Sequence, residues 1–155
     1  MKKTIMTKWV KALRSGKYNQ CKENLCTLDV EGNPSYCCLG VLTQLYLDER
    51  KRQKKDNNIE DFMDVEEYSK NYCWIDLTIP YPAWYIADET GLLPKEVAHW
   101  AGFDTTRAGW GTGTISGFAE DKNLATMNDG WECVGLKRKT FKQIANIIEK
   151  NYTKI

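Results

Sequence analysis

The sequence holds a single histidine, His99, and none of its six cysteines forms a C-x2-C pair. The first shortage argues against most chemistry that depends on a histidine base. The second argues against a structural zinc site, whose ligands come in closely spaced pairs. Charge of one sign is also missing. Lys plus Arg number 22 and Asp plus Glu 21, which leaves a net charge of +1. A strongly basic nucleic-acid coat and an acidic DNA mimic are excluded as descriptions of the whole chain, although a local patch is not. Long apolar runs are absent too. Nothing approaches the roughly 18 apolar residues of a membrane span. The basic start, MKKTIMTKWVKALRSG, is interrupted by Lys8, Lys11 and Arg14 before a signal-peptide core can form. A cytosolic protein with reduced thiols is expected, and most cysteines sit in apolar runs such as SYCCLGVL and NYCWIDL.

What is present suits one folded domain. The chain has 155 residues, 42% apolar and 28% charged, enough to bury a core without disulfides or metal. Periodicity predicts a helix over 4–16, with Thr4 as cap, Ile5, Trp9 and Leu13 as its apolar face and Gly16 as its exit. Residues 25–30 (LCTLDV) alternate like a strand, EGNP at 31–34 is turn chemistry, and 35–38 return. A helix is expected over 39–52, then a basic polar loop over 51–58, an acidic excursion over 59–72 and a strand over 73–79. LPKEVAHWAG at 93–102 reads as a short helix with Pro94 in its first turn and Gly102 at its exit. Residues 104–123 read as an irregular loop or glycine-rich hairpin, and 124–130 as a short helical turn. A final helix over 140–152 opens with a Thr140/Gln143 capping box. The expected architecture is a single compact α+β domain spanning 1–155, mainly helical, with a small antiparallel sheet.

No residue set declares a catalytic mechanism, and no cofactor or metal is implied. Cys38 offers one alternative. At the N-terminus of the helix expected from Leu39, the dipole and free amides would favour a thiolate, with His99 as a base. Its neighbours in YCCLGVL are apolar, which favours core packing. The glycine-rich loop over 109–117 is neither a Walker A motif nor a dinucleotide fingerprint. Its amides are still suited to anions, with Arg107 before it, Lys122 after it and Trp110 to stack on a base. The basic run 137–139 precedes helical amides, another place for phosphate. Asn128 and Asp129 beside Gly130 are explained by turn formation alone. The candidate binding residues are Arg107, Trp110, Lys122, Asn128, Arg138 and Lys139. Each basic run reads equally well as solvated surface.

Four blocks carry a resemblance: WVKALRSGKYNQ at 9–20, YCCLGVL at 36–42, LPKEVAHWAG at 93–102, and LATMNDG at 124–130 followed by TFKQIANIIE at 140–149. In this order they resemble a family of small uncharacterised phage and prophage proteins. The chain departs from that pattern at Thr126-Met127, in the insertion before the last helix and in the glycine-rich loop. The resemblance implies a phage origin and the host cytoplasm. By analogy of context it implies an antagonist of host defence that sequesters a phosphate-bearing nucleotide signal of the cyclic or ADP-ribose type. The alternatives are an inhibitor that binds a host defence protein directly and a cysteine-dependent enzyme using Cys38. Neither a membrane nor a nucleic acid is an expected partner, and a homo-oligomer stays open.

Overall fold

The computed structural model of the protein describes residues 1–56, 92–106, 109–118, 123–131, 133 and 135–155, with backbone alone at 54–56 and 110. Among the described residues there are five α-helices: α1 (Lys3–Arg14), α2 (Cys38–Asp56), α3 (Lys95–Ala101), α4 (Leu124–Asp129) and α5 (Phe141–Asn151). Three short strands, β1 (Asn19–Gln20), β2 (Cys26–Leu28) and β3 (Pro34–Tyr36), form a sheet in the order β1-β3-β2. The architecture is mixed helix and sheet, as the patterning implies.

Local chemistry explains most of the boundaries. α1 buries Ile5, Met6, Trp9, Val10 and Leu13 on one face. Thr4 is not its cap. Lys2 holds the cap position without a side-chain bond, because the helix begins at Lys3 and Thr4 already lies in its first turn. Past its end Gly16 adopts φ +73°, which only glycine reaches without strain. α3 starts after Pro94 and stops at a left-handed Gly102. Asn123 caps α4 by accepting from the Thr126 amide at 2.9 Å. Thr140 and Gln143 complete the expected capping box on α5.

The sheet is mixed rather than purely antiparallel. β2 and β3 form the expected hairpin, with Thr27 opposite Ser35, while β1 lies parallel to β3, with Gln20 beside Tyr36. Asp29 organises the connecting turn. Its Oδ1 accepts from the amides of Glu31 (2.9 Å) and Asn33 (2.8 Å), and Asn33 Nδ2 donates to Oδ2 at 3.0 Å. These bonds hold the Asp29 carboxyl below its usual range, the Asn33 amide contributing most.

One core joins all five helices, with α1 against α5 and the start of α2 at its centre. Leu39, Val41 and Leu42 are fully buried there beside Trp9 and Ile144. Trp9 Nε1 donates to the Cys38 carbonyl at 2.9 Å, which satisfies the indole's only polar atom inside the core. At Gly40 a Cβ would run into the carbonyl of Leu25. The hairpin can therefore lie against α2 only because that position is glycine.

The structure departs from the sequence pattern at several places. α2 continues through 51–56, so the first part of the expected basic loop is helical. The acidic excursion over 59–72 and the strand over 73–79 lie outside the described residues. Asn128 and Asp129 end a helix instead of forming a turn. Cys21, Cys37, Cys38 and Cys133 are free, but Cys133 is exposed rather than in the core. Cys26 is disulfide-bonded, against the expectation of a reduced thiol there.

Candidate functional site

Two polar regions stand out, and they differ in kind. The first is built around Asn128, which is fully buried. Its Oδ1 accepts from Gln20 Nε2 at 2.9 Å and from the Cys38 amide at 3.1 Å. Its Nδ2 donates to the Cys21 carbonyl at 2.9 Å and to Asp129 Oδ1 at 2.8 Å. A buried amide side chain has four such opportunities, and here all are used. Arg138 closes the same knot. Its Nε donates to the Asn128 carbonyl at 3.1 Å, and its Nη2 to the carbonyls of Gln20 and Cys21, both at 3.0 Å.

This knot also finishes the N-terminus of α2. Cys37 sits just before the helix and its Sγ accepts from the Gly40 amide at 3.3 Å, while Asn128 takes the Cys38 amide. Orphan amides of a helix end are thereby matched from within the protein. Burial drives the Cys37 thiol up to about 12 and the Cys38 thiol well above its usual range. Cys38 is fully buried, with its Sγ donating to the Leu124 carbonyl at 3.5 Å. That is the opposite of the exposed, electropositive setting a nucleophilic thiolate needs. His99 is exposed on α3, with Nε2 3.0 Å from Thr105 Oγ1.

The structure brings together three of the six candidate residues. Asn128 and Arg138 belong to the knot. Lys139 joins it through its backbone, with its amide donating to Met127 O at 2.8 Å and its carbonyl accepting from Gln20 Nε2 at 2.9 Å. Arg107 and Lys122 lie outside the described residues, and Trp110 is described by its backbone alone, as the first residue of a 3₁₀ turn. In the glycine-rich loop the amides of Thr112, Thr114, Ser116 and Phe118 all donate to backbone carbonyls, so these four are not free for an anion. The α5 N-terminus, beside the basic run, is closed by its own capping box. Among the described residues no group of three His, Cys, Asp or Glu side chains is placed to hold a metal ion. No helix there is long and apolar enough to cross a membrane.

The second region is an open cleft of about 430 Å³ beside β1. Lys17, Tyr18 and Asn19 line it from β1 and its approach, Asp29, Asn33 and Tyr36 from the hairpin, and Gln44 and Asp48 from α2. The rings of Tyr18 and Tyr36 meet edge to face, with centroids 5.4 Å apart. The Lys17 ammonium stands 5.4 Å from the Tyr18 ring centroid, within cation–π range. Gln44 Nε2 donates to Asp48 Oδ1 at 2.7 Å, and the Tyr36 hydroxyl makes a long 3.5 Å bond to Gln44 Oε1. Burial raises the Tyr18 phenol, and the charge of Asp48 adds to the effect. Unlike the knot, the cleft keeps unspent groups: no described residue hydrogen-bonds to the Tyr18 hydroxyl or to Asp48 Oδ2.

Over residues 1–152 the sequence matches the model of a domain of unknown function, DUF8296. The chain belongs to that family. No curated protein matches it, and no solved structure does. The DUF8296 fold of this chain gathers three of its four sequence blocks at or beside the knot: Trp9 and Gln20 from the first, Cys37, Cys38 and Gly40 from the second, Asn128 from the last.

The cleft residues went unselected in sequence. Lys17, Tyr18 and Asn19 sit in a block that served only as a family marker. Gln44 and Asp48 stand four residues apart, a spacing that places both on one side of α2. That spacing was the available signal, but it acquires meaning only once β1 and the hairpin are placed beside the helix.

Proposed function

We propose that the protein is a non-catalytic binding protein that takes a small phosphate-bearing nucleotide of the cyclic or ADP-ribose type. By withholding that signal it would antagonise defence in the cytoplasm of a phage-infected bacterium. The supporting observation is the cleft beside β1. Tyr18 offers a ring on which a base can stack. Gln44, Asp48 and Asn19 offer amide and carboxylate groups for the edge of a base, and Lys17 offers a cation for phosphate. Its volume of about 430 Å³ lies in the range of small-molecule sites. Two carboxylates against one lysine disfavour a dense phosphate cluster such as a triphosphate. A ligand whose phosphates are spread apart suits the cleft better.

Calorimetry against a panel of cyclic oligonucleotides and cyclic ADP-ribose isomers tests this reading. At least one should bind, and Tyr18→Ala and Lys17→Ala should weaken it at least about tenfold, as expected for lost stacking or a lost charged contact. Lys51→Ala should leave it unchanged. No binding across the panel removes the reading.

A second reading is an inhibitor that docks on a host defence protein. Val30 at the hairpin turn is fully exposed, and Leu28 and Trp131 are also exposed. Apolar groups of this size are suited to anchoring an interface. Recovery from host lysate of one stoichiometric protein, free of nucleotide and lost on Val30→Asp, would favour it.

A further inference from the structure

We infer that the base selected by the cleft is guanine, read by Gln44 and Asp48 of α2; this rests on the nucleotide reading above. The two side chains stand one helical turn apart on the same side of α2, facing the cleft. They are fixed relative to each other by the 2.7 Å bond from Gln44 Nε2 to Asp48 Oδ1, and Gln44 is steadied in turn by the Tyr36 hydroxyl. Asp48 therefore presents an oriented carboxylate whose Oδ2 is unspent among the described residues, with a further lone pair on Oδ1.

An ionised carboxylate only accepts hydrogen bonds. It pairs best with two adjacent donors, bound side by side. Guanine presents such a pair in its ring N1–H and its exocyclic 2-amino group. Adenine and cytosine each place an acceptor nitrogen beside their amino group, and that lone pair would face the carboxylate. Uracil offers one N–H between two carbonyls. The second amide proton of Gln44 is the natural partner for the guanine carbonyl next to N1. Tyr18 supplies the stacking surface and Lys17 the contact to phosphate.

The test compares 5′-GMP and cyclic di-GMP with their adenine counterparts by calorimetry, on the wild-type chain and on Asp48→Asn. The guanine ligands should bind at least about tenfold tighter, the scale set by a bidentate contact to a base edge. Asp48→Asn should abolish that preference and improve binding of 5′-XMP. The carbonyl at position 2 of xanthine accepts the proton that the new amide donates. The half-exposed position of Asp48 and the near-identical shape of Asn keep the fold intact, which a thermal melt verifies. Adenine ligands binding as tightly as guanine ones, or any guanine-free ligand binding tighter, overturn the inference and leave the nucleotide reading standing. So does an Asp48→Asn chain that keeps its guanine preference. Failure of every nucleotide on the wild-type chain overturns both together.

Discussion

The knot around Asn128 and the cleft around Tyr18 lie on opposite sides of the same two-residue strand. Gln20 of β1 is tied into the knot, while its neighbour Asn19 lines the cleft. In the knot every donor and acceptor of Asn128 has a partner inside the protein. In the cleft a carboxylate oxygen and a phenol have no hydrogen-bond partner among the described residues. A polar cluster with all its valences met can specify a fold but has nothing left for a ligand. A polar cluster with spare valences contributes less to folding and retains its capacity for recognition.

The sharpest way to break the knot side is Gly40→Ala. The added methyl would meet the Leu25 carbonyl, where backbone rather than a flexible side chain must give way. We expect a loss above about 4 kcal/mol, the range of severe core lesions, read as loss of soluble, cooperatively melting protein. Asn128→Ala comes next. It strands the Cys38 amide in the interior and takes one of two donors from the Cys21 carbonyl, and should cost about 3 kcal/mol in chemical denaturation. Tyr18→Ala, on the cleft side, should cost only about 1 kcal/mol, the value of its aromatic pair. If Tyr18→Ala proved as damaging as Asn128→Ala, the contrast between the two regions would collapse.

The smallest effect is electrostatic. The carboxyl of Asp29 is held below its usual range by the Asn33 and Glu31 amides. Its folded value is depressed, so its stabilisation is present above the ordinary carboxylate range. It is lost as pH falls through the lowered folded value. The protection factors of the Glu31 and Asn33 amides, measured against their intrinsic rates at each pH, should therefore fall on acidification below that range. The Cys38 amide, whose acceptor is the neutral Asn128 side chain, should keep its protection. Equal loss of protection at both places would show global acid unfolding instead of a local hairpin response.

Helix boundaries were legible where their signals are local. The Thr140/Gln143 box, Pro94 with Gly102 and the stripe of α1 all act within a turn or two of chain. The parallel pairing of β1 with β3 was not legible, because a two-residue strand carries no periodicity and is held from outside by Arg138 and Asn128. Arg138 illustrates the same limit for function. A cation in the run KRK attracts phosphate in any sequence-level reading, yet its guanidinium donates to three backbone carbonyls. Asn128 likewise looks like turn chemistry until a helix N-terminus 90 residues away in sequence needs an acceptor.

The packing of α1 on α5 sets an order of events during synthesis. Arg14 of α1 reaches Glu149 and Asn146 of α5, and the apolar faces of both helices are buried in one core. A helix as short as α1 is marginal alone. At ordinary elongation rates its partner follows on the order of ten seconds later. For that interval α2 can cover part of α1, but the side of α1 that meets α5 has no native surface against it. This core can therefore close only after α5 has been synthesised, and until then that side of α1 is an apolar surface of the kind that chaperones shield.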